Sequence, residues 1–247
     1  MPEAAELLLL VGIGLLAGVI NVMAGGGSTL TLPILIFLGL DPSVANGTNR
    51  VAIVAQNVIA TGSFRRHGVS RLLESTTYAL WTVPGAVIGS VVAVRIDDEW
   101  FELILGAVMI FVVISMAVPR RGGETTLEGM QSKWIGPALF AIGFYGGFIQ
   151  VGVGFLLMAA FYHLLRMNLV RVNVHKVVIV LVYTLPALLI FALSGNVSWR
   201  YGLCLAAGNS AGAWWAARTM IQTGESVVRW VLIVAVLIMA AKLLRLF

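Results

Sequence analysis

Charge is what this chain has least of: 11% of its 247 residues are Asp, Glu, Lys or Arg, while 60% are hydrophobic. Soluble domains carry about a quarter of their residues charged, so this composition excludes an ordinary soluble domain and points to a membrane protein. Cysteine is nearly missing as well. Cys204 stands alone among Leu, Ala and Gly, which excludes an internal disulfide and any multi-cysteine metal site and marks it as a packing residue. Period-two alternation of polar and apolar residues is absent, which argues against an outer-membrane barrel. A basic leader is lacking too: the first apolar run begins after Pro2 and Glu3 and continues past any cleavage-like site, so the first helix is expected to stay in the mature protein.

Acid–base chemistry is poorly supplied. Asp97, Asp98, Glu124, Glu128 and Glu225 read as loop residues, Glu102 lies close to a helix start, and His67, His163 and His175 have no metal-ligand spacing. A membrane-embedded enzyme would need an activated nucleophile, an acid–base pair or a metal cluster facing a cavity. The expectation is therefore no enzyme, no cofactor and no metal. The net charge of +5 does not imply nucleic acid, because the basic residues mostly sit in short loops between apolar runs, where they set topology.

What is there is a series of uncharged runs, Leu7 to Leu40, Ser75 to Val94, Leu103 to Pro119, Trp134 to Leu165 and Val177 to Trp199. A helix needs about 20 such residues to cross a bilayer, so the fold class is an all-α, multi-pass membrane protein. The runs repeat once. Gly14 and Gly18 are answered by Gly143 and Gly147, and Gly85 and Gly89 by Gly208 and Gly212; these four-residue spacings suit close helix packing. Gly25-Gly26-Gly27 is answered by Gly152-Val153-Gly154, Asn46 by Asn173, and Arg95 by Arg218. The organisation expected is a first repeat over 1–118, a polar linker over 119–133 and a second repeat over 134–247. Each repeat holds five elements, and the second of each, about Ser28 to Leu40 and Phe155 to Leu165, is too short for a comfortable crossing. If all five cross, the repeats are inverted and the Arg-rich side, with Arg65, Arg66, Arg71, Arg120, Arg121 and Arg166, is cytoplasmic. If the short ones dip in and return, the repeats are parallel. Inversion is the reading adopted, and the glycine-rich helix faces also offer a surface for a homodimer.

The glycine breaks carry the functional signal. Non-helical backbone within hydrocarbon survives only where protein or a watery cavity satisfies it. A helix that restarts at Ser28 and Thr29 presents unpaired N–H groups and a partial positive charge, which suit an anion. Polar residues gather around both breaks: Asn21 and Gln150 before them, then Asn46, Thr48, Asn49 and Arg50 in one half and Asn173, His175 and Lys176 in the other. Each is costly in lipid. Together with Gly25, Gly26, Gly27, Gly152 and Gly154 they form the candidate substrate site. Arg50 and Lys176 are the charge partners for an anion, unless they snorkel to headgroups. Asn57, Asn209 and Ser210 are secondary candidates, and His175 could titrate near neutral pH. A passive channel is the competing reading; paired broken helices fit alternating access better.

The stretch NVMAGGGSTLTLPILIFLGLDPSVANGTNRVAIVAQN, Asn21 to Asn57, resembles the sulfite exporter TauE/SafE family, also called the toluene sulfonate uptake permeases. The two-copy layout extends the resemblance over essentially the whole chain. It implies a bacterial or archaeal inner-membrane permease for small, mostly sulfur-containing anions such as sulfite, sulfoacetate or other organosulfonates. It also implies that the motif residues Gly25, Gly26, Gly27, Ser28, Asn46, Thr48 and Asn49 serve the site. The second half departs from the motif: Val153 stands for the middle glycine, Phe155 for the serine, and His175-Lys176 for the Thr-Asn pair. A transporter of another small anion, such as a carboxylate, is the alternative.

Overall fold

A computed structural model describes residues 3–66, 68, 71–117, 133–167 and 169–223, and every regular element among them is a helix. The linker expected over 119–133 lies outside the described residues except for Lys133, as do His67 and everything from 224 onward. In order the elements are α1 (Glu3–Ala24), α2 (Ser28–Phe37), α3 (Pro42–Arg66), α4 (Leu72–Ala93), α5 (Asp98–Ala117), α6 (Ile135–Phe148), α7 (Val153–Leu165), α8 (Leu169–Leu193) and α9 (Trp199–Thr223).

The first short element starts at Ser28 as read from sequence but ends at Phe37, three residues before Leu40. α2 has 10 residues, about 15 Å at the helical rise, half a bilayer core. α7 has 13 and begins at Val153, two residues before the start read from sequence. α6 departs from the full crossing expected of it, because it runs for only 14 residues before Ile149 turns extended. Its break thus opens three residues ahead of Gly152, the first glycine of that motif.

α1, α4 and the stretch Arg171–Leu193 of α8 are long and apolar enough to cross a membrane on their own. α3 is longer than α1 but carries Asn46, Thr48, Asn49, Arg50, Gln56 and Asn57, all buried. It packs against α8 and α9, so its polar side chains face protein rather than lipid. The outside is the reverse: Leu8, Leu80, Leu103, Leu185, Leu189 and Leu203 are exposed. A polar interior inside an apolar shell is stable only where the surroundings are hydrocarbon.

Helix contacts form exchanged pairs. α1 lies along α9 and α4 along α6; α3 lies along α9 and α4 along α8, with α3 against α8 between them. When α1 to α4 are set in order against α6 to α9, each of these contacts has its counterpart with the two sets swapped. The glycine pairs make this closeness attainable. A Cβ at Gly14 or Gly18 would strike α9 backbone at Leu205 and Asn209, and one at Gly208 or Gly212 would strike α1 at Val11 and Leu15. Gly85 and Gly89 meet Phe140 and Phe144 of α6 in the same way, and Gly143 and Gly147 meet Thr82 and Ala86 of α4. Those faces are occupied within the chain.

Candidate functional site

The two breaks meet. α1 ends where Gly25 takes φ +84°, with its N–H donating to Asn21 O at 2.8 Å, the left-handed glycine stop of a helix. In the second break Gly152 takes φ +73° directly before α7. Gly25 touches Gly154 backbone to backbone, so close that a methyl group on either would overlap the other's Cα. Gly26 does not have a positive φ, and a side chain there would meet the Phe155 ring.

α3 and α8 each reach across to hold the end of the other set's first helix. Asn46 Nδ2 donates to Phe148 O at 2.8 Å, while Arg50 donates from Nη2 to Gly147 O (2.6 Å) and from Nη1 to Gly146 O (3.0 Å) and Gln150 Oε1 (3.2 Å). On the other side Asn173 Nδ2 donates to Met23 O at 3.4 Å, and Lys176 Nζ donates to Val22 O (2.9 Å), Asn21 O (3.1 Å) and Asn173 Oδ1. The last carbonyls of a helix have no partner within it and carry a partial negative charge. Two buried cations therefore complete two broken helix ends, the pairing a buried charge requires. The Arg50 guanidinium also lies 4.6 Å from the Phe191 ring centre.

Between the breaks is a small cavity lined by Asn21, Gly25, Gln56, Asn57, Gln150 and Lys176, together with Val153, Gly154 and Val180. Its free volume is about 10 Å³, room for one water. The lining holds four carboxamides and one ammonium but no carboxylate. α7 presents its N-terminal end here, since Val153 and Gly154 open that helix.

Of the residues singled out in sequence, Asn21, Gly25, Gln150, Gly154 and Lys176 meet at this cavity, and the secondary candidate Asn57 joins them. The others stand one layer back. Ser28 accepts from Asn49 Nδ2 at 3.1 Å, Thr29 Oγ1 donates to Gly26 O, Gly27 N–H donates to Asn21 Oδ1, and Gly152 caps α7. Arg50, Asn46 and Asn173 hold helix ends. Thr48 and His175 point elsewhere, to Ser198 and Ser75. The sequence reading missed Gln56, which lines the cavity and accepts from Asn209 Nδ2 at 3.0 Å. It stands two helical turns after Asn49, a polar residue on the same face of α3, and that spacing could have revealed it. Thr31, which donates to Asn49 Oδ1 at 2.6 Å, and Tyr183, which accepts from Gln150 Nε2 at 2.9 Å, were also missed.

An apolar-surfaced helical bundle with broken helices around a buried polar cavity is the architecture of a multi-pass membrane transporter. The sequence model of the sulfite exporter TauE/SafE family matches residues 10–243, and the chain belongs to that family. It is similar to a probable membrane transporter protein of Haemophilus influenzae, at 26% identity, with 94% of this chain and 91% of that protein covered. It is similar also to the probable membrane transporter protein YfcA of Escherichia coli, at 29% identity and 94% and 87% coverage. YunE of Bacillus subtilis, another probable membrane transporter, is 24% identical over 85% of each chain. No solved structure matches.

Proposed function

We propose that the chain is a secondary permease of the inner membrane that moves a small sulfur-containing anion, such as sulfite or a short organosulfonate, by alternating access. The observation that carries the reading is the cavity at the meeting of the two breaks, which offers amide donors, one ammonium and a helix N-terminus, with no carboxylate to repel an anion. A sulfonate or sulfite oxygen takes such donors well. The family name supplies the sulfur chemistry; a small carboxylate would satisfy the same donors and is the alternative substrate.

Room for one water is too little for any such anion, so transport requires the halves to part around Gly25 and Gly154. The exchanged contacts of α1 with α9 and α4 with α6 support a two-fold relation between the halves, with the linker over 119–133 joining 1–118 to 134–247. Inverted repeats place the Arg65 to Arg71 and Arg166 to Arg171 loops in the cytoplasm.

The test is uptake of radiolabelled sulfite and of methanesulfonate into proteoliposomes. Saturable uptake with counterflow supports the carrier. Flux without saturation or counterflow would identify a channel instead, and saturable uptake of a carboxylate alone would transfer the site to the alternative substrate.

A further inference from the structure

One cluster of titratable groups lies off the cavity, where α4, α7 and α8 join. His175 is fully buried, one residue before the cavity-lining Lys176. Its Nδ1 is 2.8 Å from Ser75 Oγ. Ser75 Oγ is also 2.8 Å from Arg71 O; in the tautomer in which its single hydroxyl proton goes to Arg71 O, it receives the Nδ1 proton of His175 and Nε2 is the bare nitrogen of the neutral ring. Nε2 has no hydrogen-bond partner and faces Glu74 Oε1 at 3.8 Å, beyond hydrogen-bond length. In that tautomer two acceptors face each other across a gap, an arrangement that a proton between them would convert into an ion pair.

The surroundings connect this gap to the molecular surface and to the short helix α7. The Glu74 side chain is 34% exposed and also meets Arg71 at 3.2 Å and Arg171 at 3.3 Å. The charged and titratable groups facing His175 are then Glu74, Arg71 and Tyr78 from the α4 side and Arg171 from its own helix, while α7 contributes the ring of Phe161. Phe161 lies nearly parallel to the imidazole at 5.7 Å and Tyr78 stands edge-on at 5.6 Å. A change in the ring's charge is therefore felt directly by α4 and by the short helix α7.

The other half has the same joint without the histidine and the glutamate. The register that matches Asn46 with Asn173 matches Thr48 with His175, and the register that matches Gly85 with Gly208 matches Ser75 with Ser198. Ser198 N–H donates to Thr48 Oγ1 at 2.9 Å, so the contact exists in both places. There Val197 stands in the position of Glu74. Of two corresponding joints, one carries the His–Glu pair and the other does not.

We propose that Glu74 and His175 form a proton-binding site, and that loading it closes the cavity on the side carrying Arg71 and Arg166. A proton from water on that side enters past Glu74 onto Nε2. The imidazolium and the Glu74 carboxylate then close their gap to hydrogen-bond length and tie the start of α4 to α8 and α7. This rests on the carrier reading above and adds to it the ion that couples or regulates transport.

Two measurements test it, both without substrate, so that an error in the substrate class changes neither. In the first, His67→Gln and His163→Gln leave His175 as the sole histidine for nitrogen NMR in nanodiscs. The ring is expected to gain a second proton over a titration from about pH 8 down to about pH 4, with about tenfold lower proton affinity in Glu74→Gln. In the second, Cys204→Ser with Val180→Cys places one thiol in the cavity, labelled by an impermeant maleimide in right-side-out and inverted vesicles, with rates normalised to a free thiol at each pH. Labelling from the Arg71 face is expected to fall several-fold in acid and to lose that dependence in His175→Gln and Glu74→Gln. A ring that stays neutral over the whole range, or labelling whose pH dependence survives both substitutions, overturns the proposal. The NMR arm keeps His175 itself intact and so does not depend on its variant folding.

Discussion

Gly25 and Gly154 are in backbone contact at the point where the two helix breaks cross. This contact has two requirements, a left-handed conformation at Gly25 and the absence of a side chain at both positions. Gly25→Ala should therefore both strain the backbone and part the breaks, whereas Gly154→Ala should only part them. Gly39 gives the comparison, with φ +90° but nothing within reach of an added methyl group. Gly39→Ala is expected to lower stability by about 1 kcal/mol through strain alone. Gly25→Ala should lose more than that and lose uptake as well, read by thermal unfolding in detergent and by proteoliposome flux. Equal effects at Gly25 and Gly39 would show that the contact contributes nothing.

The helix crossings make a second comparison. Gly18 has Asn209 backbone where its Cβ would be, while Gly12, on the same helix, has open space. Gly18→Ala should push α1 off α9 and lower the unfolding temperature. Gly12→Ala should be neutral or slightly stabilising, since alanine is the better helix former by about 1 kcal/mol. Unfolding temperatures of the two variants in the same detergent decide it.

Arg50 is expected to act on stability rather than on anion choice. Its Nη1 and Nη2 bond Gly146, Gly147 and Gln150, and the group does not line the cavity. Arg50→Gln leaves those acceptors short of donors, at a cost of about 1 to 3 kcal/mol. The ratio of dianion to monoanion affinity should stay within a factor of about two. A large change in that ratio with unchanged stability would return Arg50 to the ligand shell.

These outcomes show where sequence informs and where it stops. Gly14, Gly18, Gly143 and Gly147 announce close packing because small residues are visible as letters, but which helix each one meets is a tertiary fact. Asn46 and Asn173 were legible as a matched pair. Their acceptors, Phe148 O and Met23 O, are backbone atoms that any residue would supply, so no letter records them. The early end of α6 was hidden because Ile149 and Val151 are as apolar as the helix before them. Glu74 was not singled out in sequence, three residues from Arg71 at the edge of an apolar run, and only the packing of α4 on α8 brings it to His175. Gln56 was readable, two turns from Asn49, and was passed over because it sits in an apolar stretch beside the more conspicuous Asn57.

Lys176 is the cation at the cavity, and its ammonium already has three acceptors, Asn21 O, Val22 O and Asn173 Oδ1. Two roles are thus joined in one side chain: it completes the end of α1 and it supplies positive charge to whatever enters. Different substitutions separate them. Lys176→Met removes every donor and leaves the α1 carbonyls unpaired, which should cost about 1 to 3 kcal/mol of stability. Lys176→Gln keeps a donor within reach and removes the charge, so its stability loss should be smaller while its affinity loss remains. With sulfate as the dianion and methanesulfonate as the monoanion at the same neutral or mildly acidic pH, Lys176→Gln should weaken the dianion by about tenfold and the monoanion by less, since the second charge gains most from a nearby ammonium. The reading is thermal stabilisation of purified protein against anion concentration, which reports binding by mass action. If Lys176→Gln leaves both affinities unchanged while Lys176→Met still destabilises, the ammonium serves the helix end alone, and the anion is held by Asn21, Gln56, Asn57, Gln150 and the start of α7.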